Sequence, residues 1–393
     1  MNKMIEANNS LSLIGKNIRQ YSMFIGLLLI MTLANILTSG LFLTPRNLTN
    51  LFLQTGYIAV LAIGMVMVIV GGHIDLSIGS VAAFCAAIAA LLQVRSGVDT
   101  IWVLLIALAI GMTIGAIQGI IVAYAQVPAF IVTLAAQMFF RGAVLAITGG
   151  NTIGPFQDNF RKLGSGYLLD FFSGDLFNIT ALVLGFLLIL LLVILQANKR
   201  RKRIHYGFKV LSTRFFIAQQ VLLSAIIAFF AYNLSAYKGI PYTIIIVAVF
   251  FVLYSYITQR TKIGRSVYAI GGNSLAAELS GIKVKFTTMM MFVSMGLLAA
   301  VSGMLFAARM NSASPSTGTA FELEAIAASY VGGVSAKGGV GTVTGAVIGA
   351  LVIASINNCM SLLNAEVWLQ YMVKGIVLVI AVLFDIMMRK KRG

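Results

Sequence analysis

The stretch LQTGYIAVLAIGMVMVIVGGHIDLSIGSVAAFCAAIAALLQ (residues 53–93) decides the fold. Two apolar runs, 53–71 and 75–93, flank a short break at His73–Asp75. Each has about the twenty residues that carry a helix across ~30 Å of hydrocarbon. A transmembrane β-barrel would show short alternating segments instead. Outward from this stretch the pattern repeats, at Tyr21 to Ser39 and then at 101–124, 129–148, 178–197, 215–236, 242–258, 288–308, 323–334, 341–360 and 367–388. The first run is too long for a signal peptide and no A-x-A site follows it, so it is read as an uncleaved helix. The 393 residues are 60% hydrophobic and 10% charged, whereas soluble domains carry about 25% charge. An all-α polytopic membrane protein with about ten to twelve transmembrane helices is expected. The 72–75 break and the short 323–334 run are places for re-entrant or broken helices.

The net charge of +17 does not signal nucleic acid, because the cations lie in short stretches between apolar runs. The 1–20 segment carries Lys3, Lys16 and Arg19. The 198–214 loop holds Lys199, Arg200, Arg201, Lys202, Arg203, Lys209 and Arg214. The 259–287 loop holds Arg260, Lys262, Arg265, Lys283 and Lys285, and the 389–393 tail opens with Arg389 and Lys390. These clusters agree on one orientation, with both termini in the cytoplasm and the 21–388 transmembrane domain between them. The largest outward loop, 149–177, mixes Asp158, Asp170 and Asp175 with Arg161 and Lys162. Cys85 and Cys359 sit inside apolar runs without metal-ligand spacing and read as small core residues.

Segments of the two halves match. Gly115-Ala116-Ile117-Gln118-Gly119 parallels Gly345-Ala346-Val347-Ile348-Gly349, Arg141-Gly142 parallels Lys374-Gly375, and Val70-Gly71-Gly72 parallels Val331-Gly332-Gly333. In the expected topology 101–124 and 341–360 run oppositely, so the repeat is inverted, as in transporters that alternate access between two related halves. For any one of these glycines, close helix packing is the plainer explanation.

Polar groups inside the spans are the functional candidates, since charge in a bilayer is costly. Asp75 is expected to cap the following helix through the amides of Ser77 and Ile78, a role preferred to direct solute contact. His73 is of the residue type that can change charge near neutral pH, but a lone histidine makes a metal site unexpected and gives a proton relay no second member. Arg141 and Lys374 lie near helix centres and face a polar cavity or snorkel toward an interface. Glu322 and Glu324 open the short run, with an ion pair to Arg309 as the expectation there. Asn357, Asn358, Gln118, Gln137 and Gln370 suit an uncharged polyhydroxylated solute, and suit helix–helix hydrogen bonds better. There is no phosphate loop, since Gly332–Gly341 lacks the Lys-Ser/Thr ending. No catalytic set stands out, nor the series of intramembrane acids of an ion-driven pump. Energy for active transport would have to enter from another polypeptide. The 259–287 loop offers a receiver, a short helix from Leu275 to Ser280 capped by Asn273 or Ser274 and leaving through Gly281. Ala276 and Ala277 flatten one face, and Leu279 and Ile282 anchor the other.

The stretches G-G-x-I-D-L-S-I-G-S (71–80), I-G-R-S-V-Y-A-I-G-G-N-x-x-A-A-x-L-S-G-I (263–282) and G-G-V-G-T-V-T-G-A-x-x-G (338–349) resemble the permease subunits of bacterial monosaccharide ABC importers of the ribose/xylose group, relatives of branched-chain amino acid permeases. The resemblance covers nearly the whole chain. It implies a permease in the bacterial inner membrane, with a second permease copy, a cytoplasmic ATPase that binds ATP and Mg, and an extracytoplasmic sugar-binding protein; this chain itself would bind no cofactor. It further implies that Gly272, Asn273, Ala276, Ala277, Glu278 and Gly281 touch the ATPase, and leaves His73, Asp75, Ser77, Arg141, Asn357, Asn358 and Lys374 as candidates for the path or gate. An added two-span region at about 150–240, and His73 where ribose-type members carry Gly, point toward xylose or multiple-monosaccharide permeases. A branched-chain amino acid permease and a stand-alone secondary sugar transporter are the rival readings.

Overall fold

The computed structural model describes residues 18–172, 174, 176–208, 210 and 212–390. The N-terminal segment up to Asn17, Asp175, Lys209 and the tail end 391–393 lie outside the described residues. The chain folds as α1 (Ile18–Leu37), α2 (Pro45–Val70), α3 (Ile78–Ala90, continued by a π turn to Arg95), α4 (Thr100–Ala123), α5 (Ala129–Thr148), α6 (Asp158–Ser165), α7 (Ile179–His205) and α8 (Thr213–Ser235). It continues as α9 (Tyr242–Arg260), α10 (Lys262–Gly272), α11 (Ser274–Leu279), α12 (Val284–Met310), α13 (Phe321–Val331), α14 (Val343–Leu362) and α15 (Val367–Lys390). Among the described residues nine helices are long and apolar enough to cross a membrane, and α1 and α15 add the shorter apolar stretches Met23–Leu37 and Val367–Ile380. The break at 72–75 separates two such helices, α2 and α3. With eleven residues and a 1.5 Å rise, α13 is about 16 Å long, half of what a crossing needs.

The core forms around α2 and α12. From Ile58 to Val70 every residue of α2 outside Gly64 is an almost fully buried hydrophobic, which is the all-round apolar pattern of a helix enclosed by others. Helix α12 packs on α2, α3 and α4, while α2 packs on α12, α13 and α14; α3 rests on α5 as α13 rests on α15. Exchanging α2 with α12, α3 with α13, α4 with α14 and α5 with α15 therefore maps the packing onto itself. The sense is inverted: α4 ends at Val122 and Ala123 on a cleft also lined by α10 and α11, whereas α14 starts at that end, just after Gly341, which lies against Val70.

Two of the sequence matches fall on equivalent helices, α4/α14 and α5/α15. The third does not: Val70-Gly71-Gly72 closes α2, and Val331-Gly332-Gly333 closes α13, which is the counterpart of α3. The glycines themselves serve close approach. A side chain at Gly115 would strike the α12 backbone at Phe292–Val293, and one at Gly349 would strike the Ala328 carbonyl of α13; small residues of this kind let helices touch where apolar burial alone gives no attraction.

Within the 150–240 region only α7 and α8 stand apart, packing on each other with α8 also meeting α2. Its first part belongs to the main body. Helix α6 packs on α12 with Phe160 fully buried, and isolated bridges join Ile153 to Ala313 and Tyr167 to Pro241. The hairpin is tied down by Asp170, whose carboxylate accepts from the amides of Phe172, Gly174, Ile179 and Thr180 and, at 2.8 Å, from the Thr180 hydroxyl.

Desolvation pushes the Asp170 carboxyl up, but these hydrogen bonds outweigh it and hold the group at about 2. The ionised form is favoured by the fold, so its stabilisation is complete above the ordinary carboxyl range near 4 and is lost as pH falls toward 2. Hydrogen-exchange protection at Phe172, Gly174 and Thr180 is expected to hold from pH 7 to about 4 and to fall below that. Asp170→Asn is expected to weaken it at every pH.

Candidate functional site

The seven candidate path residues do not meet at one place. The first group surrounds the start of α3. Asp75 is 2% exposed, and its Oδ1 accepts from the Ser77 amide at 2.8 Å and the Ser77 hydroxyl at 2.7 Å. Gln118 of α4 donates to the same Ser77 hydroxyl at 2.9 Å. The expected cap is thus met in part: Asp75 accepts from Ser77 and not from Ile78, and Ser77, the N-cap residue, makes no side-chain cap to α3. The Asx-like bond holds the broken backbone, and Gln118 stitches it to α4.

Arg141 of α5 is half-buried and does not snorkel. Its Nη1 donates to the carbonyls of Thr317 at 2.8 Å and Pro315 at 3.2 Å, latching α5 onto the segment that leads into α13. One turn earlier, Gln137 donates to Glu322 Oε1 at 3.0 Å. Glu322 Oε2 has no partner and lies in the space left by the absent side chain of Gly79.

The second group lies on the other side of α13. Lys374 Nζ of α15 meets Glu324 Oε1 at 2.6 Å, and Asn357 Nδ2 of α14 donates to the same oxygen at 3.1 Å. The expected ion pair of Arg309 with either glutamate does not form; Lys374 takes Glu324 instead, because α15 passes beside α13. Asn358 points elsewhere. It exchanges two amide hydrogen bonds with Asn47 of α2, at 2.8 and 3.1 Å, and is a clamp between α2 and α14 rather than a group free for solute. The short helix α13 therefore carries one acid toward α5 and one toward α15, the last helices of the two repeats. Glu322 and Glu324 were absent from the sequence-derived path candidates. The available signal was two acids in the first turn of a run too short to cross.

His73, two residues from Asp75, faces away from both groups. It borders a cleft of about 750 Å³ with Gln126, Ser274, Glu278 and Lys285, between the α4–α5 turn and α10–α11, with its ring 5.9 Å from that of Phe292. On the far side of this cleft the Asn273 side chain caps α11 by accepting from the Ala276 amide at 2.9 Å, and Gly281 leaves it with φ +82°. Gly272, Asn273, Ala276, Glu278 and Gly281 are exposed. Leu275 and Leu279 present apolar side chains outward, 67% and 82% exposed. Ala277, expected among the contact residues, is instead 4% exposed and packs into the main core, so it seats α11; Ile282 likewise packs on the core.

The end of α10 is wedged into both repeats. A side chain at Gly271 would collide with the Val70 carbonyl of α2 and come within 2.7 Å of the Gly339 amide. That amide donates to Val70 O at 2.8 Å, and the Tyr268 hydroxyl donates to Gly341 O at 2.7 Å. Movement of α10–α11 must therefore carry the end of α2 and the loop between α13 and α14 with it.

A polytopic helical fold with two inverted repeats and polar groups on their facing helices defines a membrane transport permease. The chain belongs to the family described as branched-chain amino acid transport system / permease component, which matches residues 47–382. Among its relatives, the xylose transport system permease protein XylH of Haemophilus influenzae is 39% identical over 375 residues, covering 95% of this chain and 98% of that protein. XylH of Escherichia coli K12 is 36% identical over 369 residues, covering 94% and 92%. The ribose import permease protein RbsC of Escherichia coli K12 is 32% identical over 361 residues, covering 92% of each. No solved structure matches the chain.

Removing one partner of a buried ion pair strands the other charge. Lys374→Met is expected to cost about 3 kcal/mol of unfolding free energy, whereas Glu324→Gln combined with Lys374→Met recovers most of that loss. Thermal unfolding of the purified variants in one detergent reads the difference.

Proposed function

We propose that this chain is the membrane-spanning subunit of an ATP-driven importer that moves a monosaccharide, xylose or a set of pentoses and hexoses, across the bacterial cell membrane. The observation that carries the reading is end-to-end similarity to xylose permeases, 39% identity over 95% of the chain, which includes the hairpin α7–α8. In this reading a cytoplasmic ATPase docks on α10–α11 through Gly272, Asn273, Ala276, Glu278 and Gly281, with Leu275 and Leu279 entering a groove of the partner. A binding protein delivers sugar at the opposite end, and a second copy of the chain completes the assembly. The basic stretches 260–265 and 283–285 flank α10–α11 in the chain, and the positive-inside rule supports reading that end as cytoplasmic; both termini lie on the same side in this reading.

ATP-driven closure of the ATPase pulls α11, the wedge at Gly271 passes the motion to α2 and to the α13–α14 loop, and the two repeats exchange access. The chain itself hydrolyses nothing in this scheme; it converts movement of a partner into opening of a path.

The test is reconstitution of the complete importer with radiolabelled D-xylose and L-leucine. Accumulation of D-xylose, and loss of both ATPase association and uptake when residues 263–282 are scrambled, are expected. Accumulation of L-leucine alone would favour the amino acid reading. Gly271→Ala is expected to keep the ATPase bound while lowering uptake at least tenfold, because the surface for docking is intact and the wedge is displaced. Normal uptake by Gly271→Ala would disprove the transmission route.

A further inference from the structure

We propose that Glu324, Asn357 and Lys374, with Tyr371 beside them, form a solute-contacting station in the translocation path, and that its chemistry selects uncharged, hydroxyl-rich solutes over amino acids. This rests on the importer reading above and names the part of the chain that meets the cargo.

The placement of Lys374 comes first. It is seven residues into α15, about 10 Å along the axis from Val367, and six residues beyond Trp368, an exposed aromatic of the type that marks a membrane interface. Its side chain is 27% exposed. An ammonium at that depth cannot be left facing hydrocarbon, so this face of α15 meets water or another polar surface. Snorkelling is ruled out by its direction, since the ammonium is turned inward onto Glu324.

The free atoms come second. Glu324 is 7% exposed; its Oε1 receives Lys374 and Asn357, while its Oε2 accepts no hydrogen bond of ordinary geometry, with the Tyr57 hydroxyl a further donor beside the carboxylate. Asn357 spends its Nδ2 on Glu324, and its Oδ1 is also left without a partner. A buried acceptor without a donor costs about 1–3 kcal/mol. Two of them on residues that share the Glu324 cluster, next to the part-exposed Lys374, constitute a place prepared for donors that arrive from outside.

The charge balance then sets selectivity. Glu324 and Lys374 neutralise each other, so the station offers no net charge, and its unpaired atoms are both acceptors. Sugar hydroxyls donate to such atoms, and the Tyr371 ring, 5.8 Å from Lys374 Nζ and 51% exposed, supplies an apolar platform for a ring face. An amino acid brings a carboxylate that would have to sit beside the buried Glu324 carboxylate, with Lys374 already paired to it. Discrimination follows from leaving such a group unsatisfied rather than from shape.

The test uses the complete importer in proteoliposomes, with Cys85 and Cys359 replaced by alanine and Asn357→Cys or, separately, Tyr371→Cys introduced. A cationic, water-soluble methanethiosulfonate is expected to modify both positions, D-xylose supplied with its binding protein and ATP is expected to slow modification several-fold, and modification of Asn357→Cys is expected to reduce D-xylose uptake at least tenfold. Reaction only with a lipid-soluble maleimide, or modification that leaves uptake intact at both positions, would overturn the station while leaving an importer that accumulates D-xylose in place. Protection by L-leucine with accumulation of L-leucine would overturn both the selectivity argument and the monosaccharide reading. Tyr371 lies on the exposed face, so its variant reports even if Asn357→Cys fails to assemble.

Discussion

A bilayer interior tolerates no bare backbone polar group and no unpaired charge, so the ends and breaks of this chain's helices have to be satisfied from within the protein. The rest of the structure follows from how those breaks are satisfied. At the end of α2 the carbonyl of Val70 is taken by the Gly339 amide, an exchange between the two repeats that is possible only because Gly271 brings no side chain into the gap. At the start of α3 Asp75 and Ser77 close the break locally, with Gln118 as anchor. At the start of α13 two glutamates are answered from opposite sides, by Gln137 of α5 and Lys374 of α15. Each repair joins elements of different repeats or different helices, so no break can rearrange alone.

In the importer reading proposed above, that arrangement is the route by which a displacement crosses the molecule. The helix α10 rests on the end of α2 and on the loop between α13 and α14, and Ala277 locks α11 into the core. The exposed leucines 275 and 279 stand on the face that remains. Arg141 and Lys374, equivalent residues of the inverted repeat, hold the segment 315–324 from two sides. A displacement entering at the α10–α11 end thus reaches both polar groups through packed helices and a few hydrogen bonds, with the half-length α13 as the element between them.

Much of the fold is legible in composition and periodicity, because the bilayer dictates helix length and forbids charge. The apolar runs, the inverted order of α4/α14 and α5/α15, and the Asn273 cap with its Gly281 exit all come from local rules. The side-chain constellations do not. Asn357 and Asn358 are neighbours in sequence and equally polar, yet a helix turns successive residues by about 100°, sending one to Glu324 and the other to Asn47. His73 and Asp75 are two residues apart, and the broken backbone aims one at the cleft and buries the other. Glu324 looks like a helix-start acid at a mouth until α15 is placed beside it. Ala277 looks as exposed as Ala276 until the orientation of α11 is known. Long-range packing decides these cases, and a single sequence records it only faintly.

The account stands on the chain being a passive gate driven by a nucleotide-hydrolysing partner. Its most direct test is the D-xylose gradient across sealed liposomes, measured with the purified chain alone and with the chain assembled with its ATPase and binding protein in the presence of ATP. The account predicts a gradient well above equilibrium only in the second case, abolished by omitting ATP. Concentration of the sugar by the chain alone, with or without an ion gradient, would contradict it.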